Sequence, residues 1–196
     1  MSPRVTLVDH GAGNLRSLRA AFERLGADVE VTADAGRVAD AERVVLPGVG
    51  AAAPAMRTLE DTGMAGALRR APSLLGVCLG MQLLFERSAE GDVACLGILP
   101  GTVERIGWAE RLPHMGWNDV VASATSTFSP ALPAVCYFAH SYAVAPTDTA
   151  VVAASTEIGG RSVPSAVASG RVAGVQFHPE KSGPAGRRML EAWLAA

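Results

Sequence analysis

The octapeptide Gly76-Val77-Cys78-Leu79-Gly80-Met81-Gln82-Leu83 sets one cysteine between two glycines where an apolar strand should turn into a helix. This is the pattern of a nucleophile elbow with sulfur in place of oxygen. Side-chain-free flanks allow a tight corner and push the reactive atom into the open. Apolar spacing predicts the strand over Ser73 to Val77 and the helix over Leu79 to Arg87. A helix beginning there aims unpaired amides at the sulfur, favours thiolate over thiol, and leaves the Leu79 N–H free for an oxyanion. The competing reading is a buried cysteine that only packs.

A second constellation, Gln176-Phe177-His178-Pro179-Glu180-Lys181-Ser182, follows the apolar run Val172 to Val175. Alternate residues of an extended segment point the same way, and Pro179 keeps His178 extended, so His178 and Glu180 can share a side. That suits a cysteine triad in which His178 takes the thiol proton, Glu180 holds the imidazole, and Cys78 attacks a carbonyl. A third element is the loop Leu46-Pro47-Gly48-Val49-Gly50-Ala51. Glycines on both sides of Val49 let its peptide turn either way, so amides at Val49 and Gly50 can complete a switchable oxyanion hole with Leu79. By itself the loop also reads as an ordinary strand-to-helix turn.

The elements that must position these groups read as an α/β fold. Strands are expected at Val5 to Val8, Val29 to Thr32 and Val44 to Leu46 before the elbow strand, with helices at Asn14 to Leu25 and Ala51 to Leu59. Strands alternating with helices imply a parallel central sheet. Beyond Gly97 the segments shorten to Thr102–Ile106, Val120-Val121, Val135–Phe138, Val151–Ala154, Ser165–Ala168 and Val172–Gln176, so antiparallel or mixed pairings are expected. A final helix, Gly186 to Leu194, offers Met189, Leu190, Trp193 and Leu194 to the core. The whole is a single domain, residues 1–196, with a mixed, mostly parallel sheet flanked by helices. All the candidate groups fall just after strands, where open α/β sheets place ligands.

With 196 residues, 49% of them hydrophobic, the chain can build one well-cored domain, and a formal charge of −2 gives no basic surface for nucleic acid. Short apolar runs and an N-terminus leading straight into a strand predict neither membrane span nor signal peptide, hence a cytoplasmic protein. Three cysteines without paired spacing fit a reducing compartment, with Cys95 and Cys136 as packing residues. No metal cluster, phosphate loop or dinucleotide fingerprint is visible, so no cofactor is expected. Gly11-Ala12-Gly13-Asn14 lacks the spacing of a phosphate loop.

The elbow together with His178-Pro179-Glu180 resembles the class I glutamine amidotransferases, whose flavodoxin-like domain hydrolyses the side-chain amide of glutamine. Within that family, Asp9 to Ser17, Pro113-His114-Met115-Gly116-Trp117-Asn118, Tyr137 to Tyr142 and Phe177 to Ser182 resemble the glutaminase subunits of imidazole glycerol phosphate synthases. Met81, the Pro113–Asn118 run and Lys181 separate the chain from anthranilate-type glutaminases. The resemblance implies Cys78, His178 and Glu180 as the catalytic triad. It assigns substrate binding to Gly48, Gln82, Glu90, Ser141 and Tyr142, with the Glu90 carboxylate for the α-ammonium, although spacing alone makes Glu90 an exposed helix-end residue. It also implies a partner, a (β/α)8 cyclase that combines the ammonia with an imidazole carboxamide nucleotide to give imidazole glycerol phosphate and aminoimidazole carboxamide ribotide in histidine biosynthesis. Asn14, Trp117, Tyr137 and Lys181 are the docking candidates, large amphipathic side chains suiting an interface; core packing is the alternative for Trp117 and Tyr137. His114 and His140 read as structural. His10 departs from the family, which commonly has tyrosine there, and bears on local packing or a partner contact. Two rival functions stay open: a glutaminase serving another acceptor such as chorismate, and a glutamine-binding module without turnover.

Overall fold

Val44, Val45 and Leu46 are all fully buried, yet they face two different apolar clusters. In the computed structural model, which describes residues 2–123 and 134–196, Val44 and Leu46 pack with Met56, Leu59 and Leu68, while Val45 packs with Leu18, Phe22 and Trp193. A strand covered on both faces reads as a continuous apolar run, the mark of a parallel sheet sandwiched between helices.

The chain runs β1 (Arg4–Val8), α1 (Leu15–Glu23), β2 (Asp28–Thr32), α2 (Ala35–Ala39), β3 (Val44–Leu46), α3 (Ala52–Asp61), α4 (Met64–Arg70), β4 (Leu74–Val77) and α5 (Leu79–Gln82). It continues through β5 (Arg87–Ser88), β6 (Val93–Ala94), β7 (Gly101–Arg105), β8 (His114–Ala122), β9 (Ala134–His140), β10 (Tyr142–Pro146), β11 (Val152–Ile158), β12 (Arg161–Ser169), β13 (Val172–Val175) and α6 (Gly183–Ala195). Nine strands form one mixed sheet in the order β2-β1-β3-β4-β13-β12-β11-β8-β9. From β2 to β13 the neighbours are parallel, and from β13 to β9 they are antiparallel. The strands β10-β7-β5-β6 make a second sheet. One face is closed by α1 and α6, where Phe22 and Trp193 meet edge to face at 5.8 Å. No helix among the described residues is long and apolar enough to cross a membrane.

Two expectations need correction. The helix after the elbow ends at Gln82 instead of Arg87. The Leu83, Leu84 and Phe85 carbonyls, which helix continuation would use, accept from the amides of Leu96, Ile98, Leu99 and Gly97. A crossing segment therefore takes over the hydrogen bonds that would have carried the helix forward. The strand expected only at Val120-Val121 extends back to His114, because β9 pairs with it from His114↔His140 to Val120↔Ala134. Its alternation was hidden because Met115 and Trp117, its large apolar side chains, point outward at 63% and 59% exposure.

Candidate active site

Four connections leave the carboxyl ends of adjacent parallel strands: His10 after β1, Pro47 to Gly50 after β3, Cys78 after β4 and His178 after β13. An open α/β sheet gathers its ligand groups at such ends.

The elbow is built by backbone contact. Cys78 has φ 55° and ψ −112°, a strained conformation for a residue with a side chain. Its amide is held by the Val175 carbonyl at 2.8 Å. The glycines are required by space: a Cβ on Gly76 would lie 2.6 Å from the Gly80 oxygen, and one on Gly80 would lie 1.8 Å from the Leu46 oxygen. Across the sheet, Gly174 makes room for Met81, whose Cγ would sit 2.8 Å from an added Cβ. The corner can close this tightly only with hydrogen at those positions.

His178 is fixed at its backbone as well as its ring. Its amide donates to the Tyr137 carbonyl at 2.9 Å, and its own carbonyl accepts from the Ser182 hydroxyl at 2.6 Å. The Nδ1 lies 2.9 Å from Glu180 Oε1, with both side chains almost wholly buried. Burial pulls the His178 pKa down, but hydrogen bonds to Cys78 and Glu180 and the negative charge of both outweigh it and raise the value to about 9. At neutral pH the ring therefore carries its proton between a sulfur and a carboxylate. Burial lifts the Cys95 and Cys136 thiols each to about 11, so both stay thiols and pack.

A cavity of about 290 Å³ opens on the sulfur, lined by Val49, Gly50, Cys78, Leu79, Gln82, Glu90, His140, Ser141, Tyr142, His178 and Lys181 among others. This is at the small end of ligand pockets, a fit for an amino acid. A larger cavity of about 400 Å³ around Ser73 and Arg171 contains neither cysteine nor histidine. Gly48, assigned to substrate by resemblance, lies buried beneath the loop, where an added Cβ would come within 2.8 Å of the Leu79 Cβ and 3.1 Å of the Gly80 nitrogen. The loop and the elbow thus touch backbone to backbone. Val49 is 42% exposed and Gly50 sits at φ 90°.

Gln82 is buried, and its Nε2 donates to the Tyr142 carbonyl at 3.1 Å and to Gln176 Oε1 at 2.9 Å. Gln176 in turn directs its Nε2 at Cys78 Sγ, 3.7 Å away. This amide chain ties the cavity wall to the sulfur. Gln176 has no role in the motif as the sequence presents it; its place directly after β13, two residues before His178, is the signal that points to it. Glu90 is not at a helix end. It is half-buried in the turn after β5, and its Oε2 accepts from the Ala52 amide at 2.9 Å, capping α3 from across the cavity.

His140 donates through Nδ1 to the Tyr142 carbonyl at 2.8 Å, and burial drops its pKa to about 4, so it is neutral and holds the wall. Trp117 and Tyr137 meet edge to face at 6.0 Å, and Lys181 Nζ lies 5.5 Å from the Tyr137 ring centroid. With Trp117 so exposed, core packing is ruled out for it. Asn14 precedes α1 half-buried, its side chain making no cap to that helix. Among the described residues no group of His, Cys, Asp or Glu could hold a metal ion.

Comparison with known proteins places the chain in a family. The family model described as Glutamine amidotransferase class-I matches residues 6–196. The chain is 48% identical over 195 residues to a protein of Xanthomonas euvesicatoria pv. vesicatoria named Imidazole glycerol phosphate synthase subunit HisH, covering 97% of this chain and 96% of that protein. A protein of the same name from Cutibacterium acnes is 44% identical over 197 residues, with the same coverage. Among solved structures, a glutamine amidotransferase superposes with a TM-score of 0.76 at 21% identity over 96% of this chain and 98% of its own. PurLQS from Thermotoga maritima matches with a TM-score of 0.76 at 21% identity over 100% and 99%. At that identity the two structures speak for the fold alone, whereas the matched model and the close relatives speak for descent: the chain belongs to the class-I glutamine amidotransferase family.

Proposed function

We propose that this chain is the glutamine amidotransferase subunit of an imidazole glycerol phosphate synthase, hydrolysing glutamine to glutamate and ammonia for histidine biosynthesis. The observation that carries the chemistry is a strained cysteine sharing one amino-acid-sized cavity with a His178 whose Nδ1 is held by Glu180 at 2.9 Å.

Cys78 Sγ attacks the side-chain carbonyl carbon of glutamine. The oxygen takes up the negative charge and is held by the Leu79 N–H and by the loop amides at Val49 and Gly50. Collapse of this adduct breaks the C–N bond, the departing nitrogen takes the His178 proton and leaves as ammonia, and a glutamyl thioester remains on Cys78. His178, now neutral, removes a proton from water, which attacks the thioester; glutamate leaves and the sulfur is restored. Glu180 keeps the imidazole oriented throughout and stabilises its charged form. Glu90, Ser141, Tyr142 and Gln82 line the same cavity and are the groups assigned to the rest of the amino acid.

Ammonia is useful only if it reaches an acceptor before bulk water protonates it, so the cavity must open onto a docked partner. The exposed group Met115, Trp117 and Val135 with Tyr137 and Lys181 on β8, β9 and the turn after His178 supplies an apolar and cationic face for a (β/α)8 cyclase subunit in a heterodimer. The test is glutamate release by the purified chain, alone and with the cyclase, with and without its imidazole nucleotide. The reading expects strong stimulation by cyclase plus nucleotide; full activity of the chain alone overturns it.

A further inference from the structure

The loop that carries the oxyanion amides is fastened from three directions. On its far side, Glu90 Oε2 holds the Ala52 amide at 2.9 Å. Beneath it, Gly48 rests on Leu79 and Gly80. On the near side a buried histidine reaches across: His10 Nε2 lies 2.8 Å from the Pro47 carbonyl oxygen, a contact joining the ends of β1 and β3. A carbonyl can only accept, so Nε2 carries the proton. Nδ1 is then left as a bare acceptor, and it is buried without a partner. A buried ring with one nitrogen unsatisfied costs stability, so the contact made by the other nitrogen has a specific task.

That task is set by which peptide is held. The Pro47 carbonyl belongs to the peptide that joins Pro47 to Gly48, directly before the glycine-flanked Val49. Fixing it leaves Val49, Gly50 and Ala51 as the exposed span between two anchors. Gly13 packs on the same proline, where an added Cβ would lie 3.4 Å from its Cγ, so the Asp9–Asn14 loop as a whole seats Pro47.

We propose that His10 is a positioning residue for glutamine hydrolysis: its Nε2–H anchors the Pro47 carbonyl so that the Val49 peptide turns about a fixed end and delivers its N–H to the oxyanion. This rests on reading the Pro47–Gly50 loop as an oxyanion donor. His10 touches no substrate and acts only through that loop.

Two variants separate the hydrogen bond from the ring. His10→Phe keeps the ring volume and removes the donor; His10→Gln restores an N–H near the Nε2 position. In the full complex with cyclase and nucleotide, His10→Phe lowers kcat for glutamate release about tenfold with KM for glutamine nearly unchanged, the size expected for one lost hydrogen bond that matters only in the transition state. His10→Gln recovers most of the loss. Hydrogen exchange of the same variants, without substrate, reads the anchor itself: His10→Phe speeds exchange across Gly48 to Ala51 while the peptide from Leu74 to Phe85 keeps its parent rate. Unchanged loop exchange overturns the anchor, and so does equal impairment of the two variants, which would make the ring's packing the cause. If the parent complex releases no glutamate, the functional reading falls while the exchange comparison still decides the anchor.

Discussion

The two halves of the site are held by different means. Around Cys78 the chain is locked by backbone contacts: Gly76, Gly80 and Gly174 leave no room for a methyl group, and Val175 holds the cysteine amide. The Pro47–Ala52 loop facing it is held only at its ends and base, with Val49 and Gly50 exposed and nothing within 4 Å of where a Gly50 Cβ would be. The proposed nucleophile is thus set by packing, while the loop proposed as oxyanion donor has open space around Val49 and Gly50. Such a division fits an enzyme whose cysteine must always be ready but whose turnover must wait for a partner.

Removing the nucleophile breaks the rigid half outright. Cys78→Ala should lower glutamate release by about a thousandfold or more while leaving docking intact, as read by kinetics and by co-elution with the cyclase. Gly80→Ala attacks the same half through packing, because its methyl would meet the Leu46 carbonyl. It should cost about 3 kcal/mol or more of stability, visible as a fall in Tm of the isolated chain. The loop half should respond differently. Gly50→Ala meets no atom but must hold φ near 90°, so it should cost only about 1–2 kcal/mol of stability while cutting the stimulation by cyclase and nucleotide severalfold. An equal loss of basal and stimulated rates would remove the distinction between the halves.

The pH profile sharpens the rigid half. Because the folded pKa of His178 is raised, its proton is retained below about 9 and lost as pH rises through that value. The rate of thioester formation should therefore fall on an alkaline limb near pH 9, whereas a limb near 6.5 would mean that Cys78 and Glu180 do not hold the proton. The smallest effect is expected at Cys95, which lies outside the cavity: Cys95→Ser should change the glutaminase rate by less than about twofold.

The rigid half was also the more legible in sequence. Glycines spaced around Cys78, and a histidine and glutamate two apart, are local patterns whose spacing alone dictates geometry. The flanking strands were found for the same reason, since Val44 to Leu46 and Leu74 to Val77 are short apolar runs. What escaped notice was long-range. Gln176 touches Cys78 across 98 residues, His10 reaches Pro47 across 37, and Glu90 caps α3 across 38. No periodicity reports such contacts. The helix after the elbow was read too long because its apolar residues, Leu83 to Phe85, are buried by a crossing segment and not by helical packing. In β8, the outward-facing Met115 and Trp117 reversed the usual sense of alternation.

The central claim is that Cys78 alone among three buried cysteines forms a covalent bond to the substrate's side-chain carbon. A diazoketone analogue of glutamine, incubated with the intact complex and followed by peptide mass mapping, tests it directly. The account predicts one adduct per chain, on Cys78, blocked by excess glutamine and absent in His178→Ala. Labelling of Cys95 or Cys136 at a comparable rate, or none at Cys78 while glutamate is still released, would contradict it.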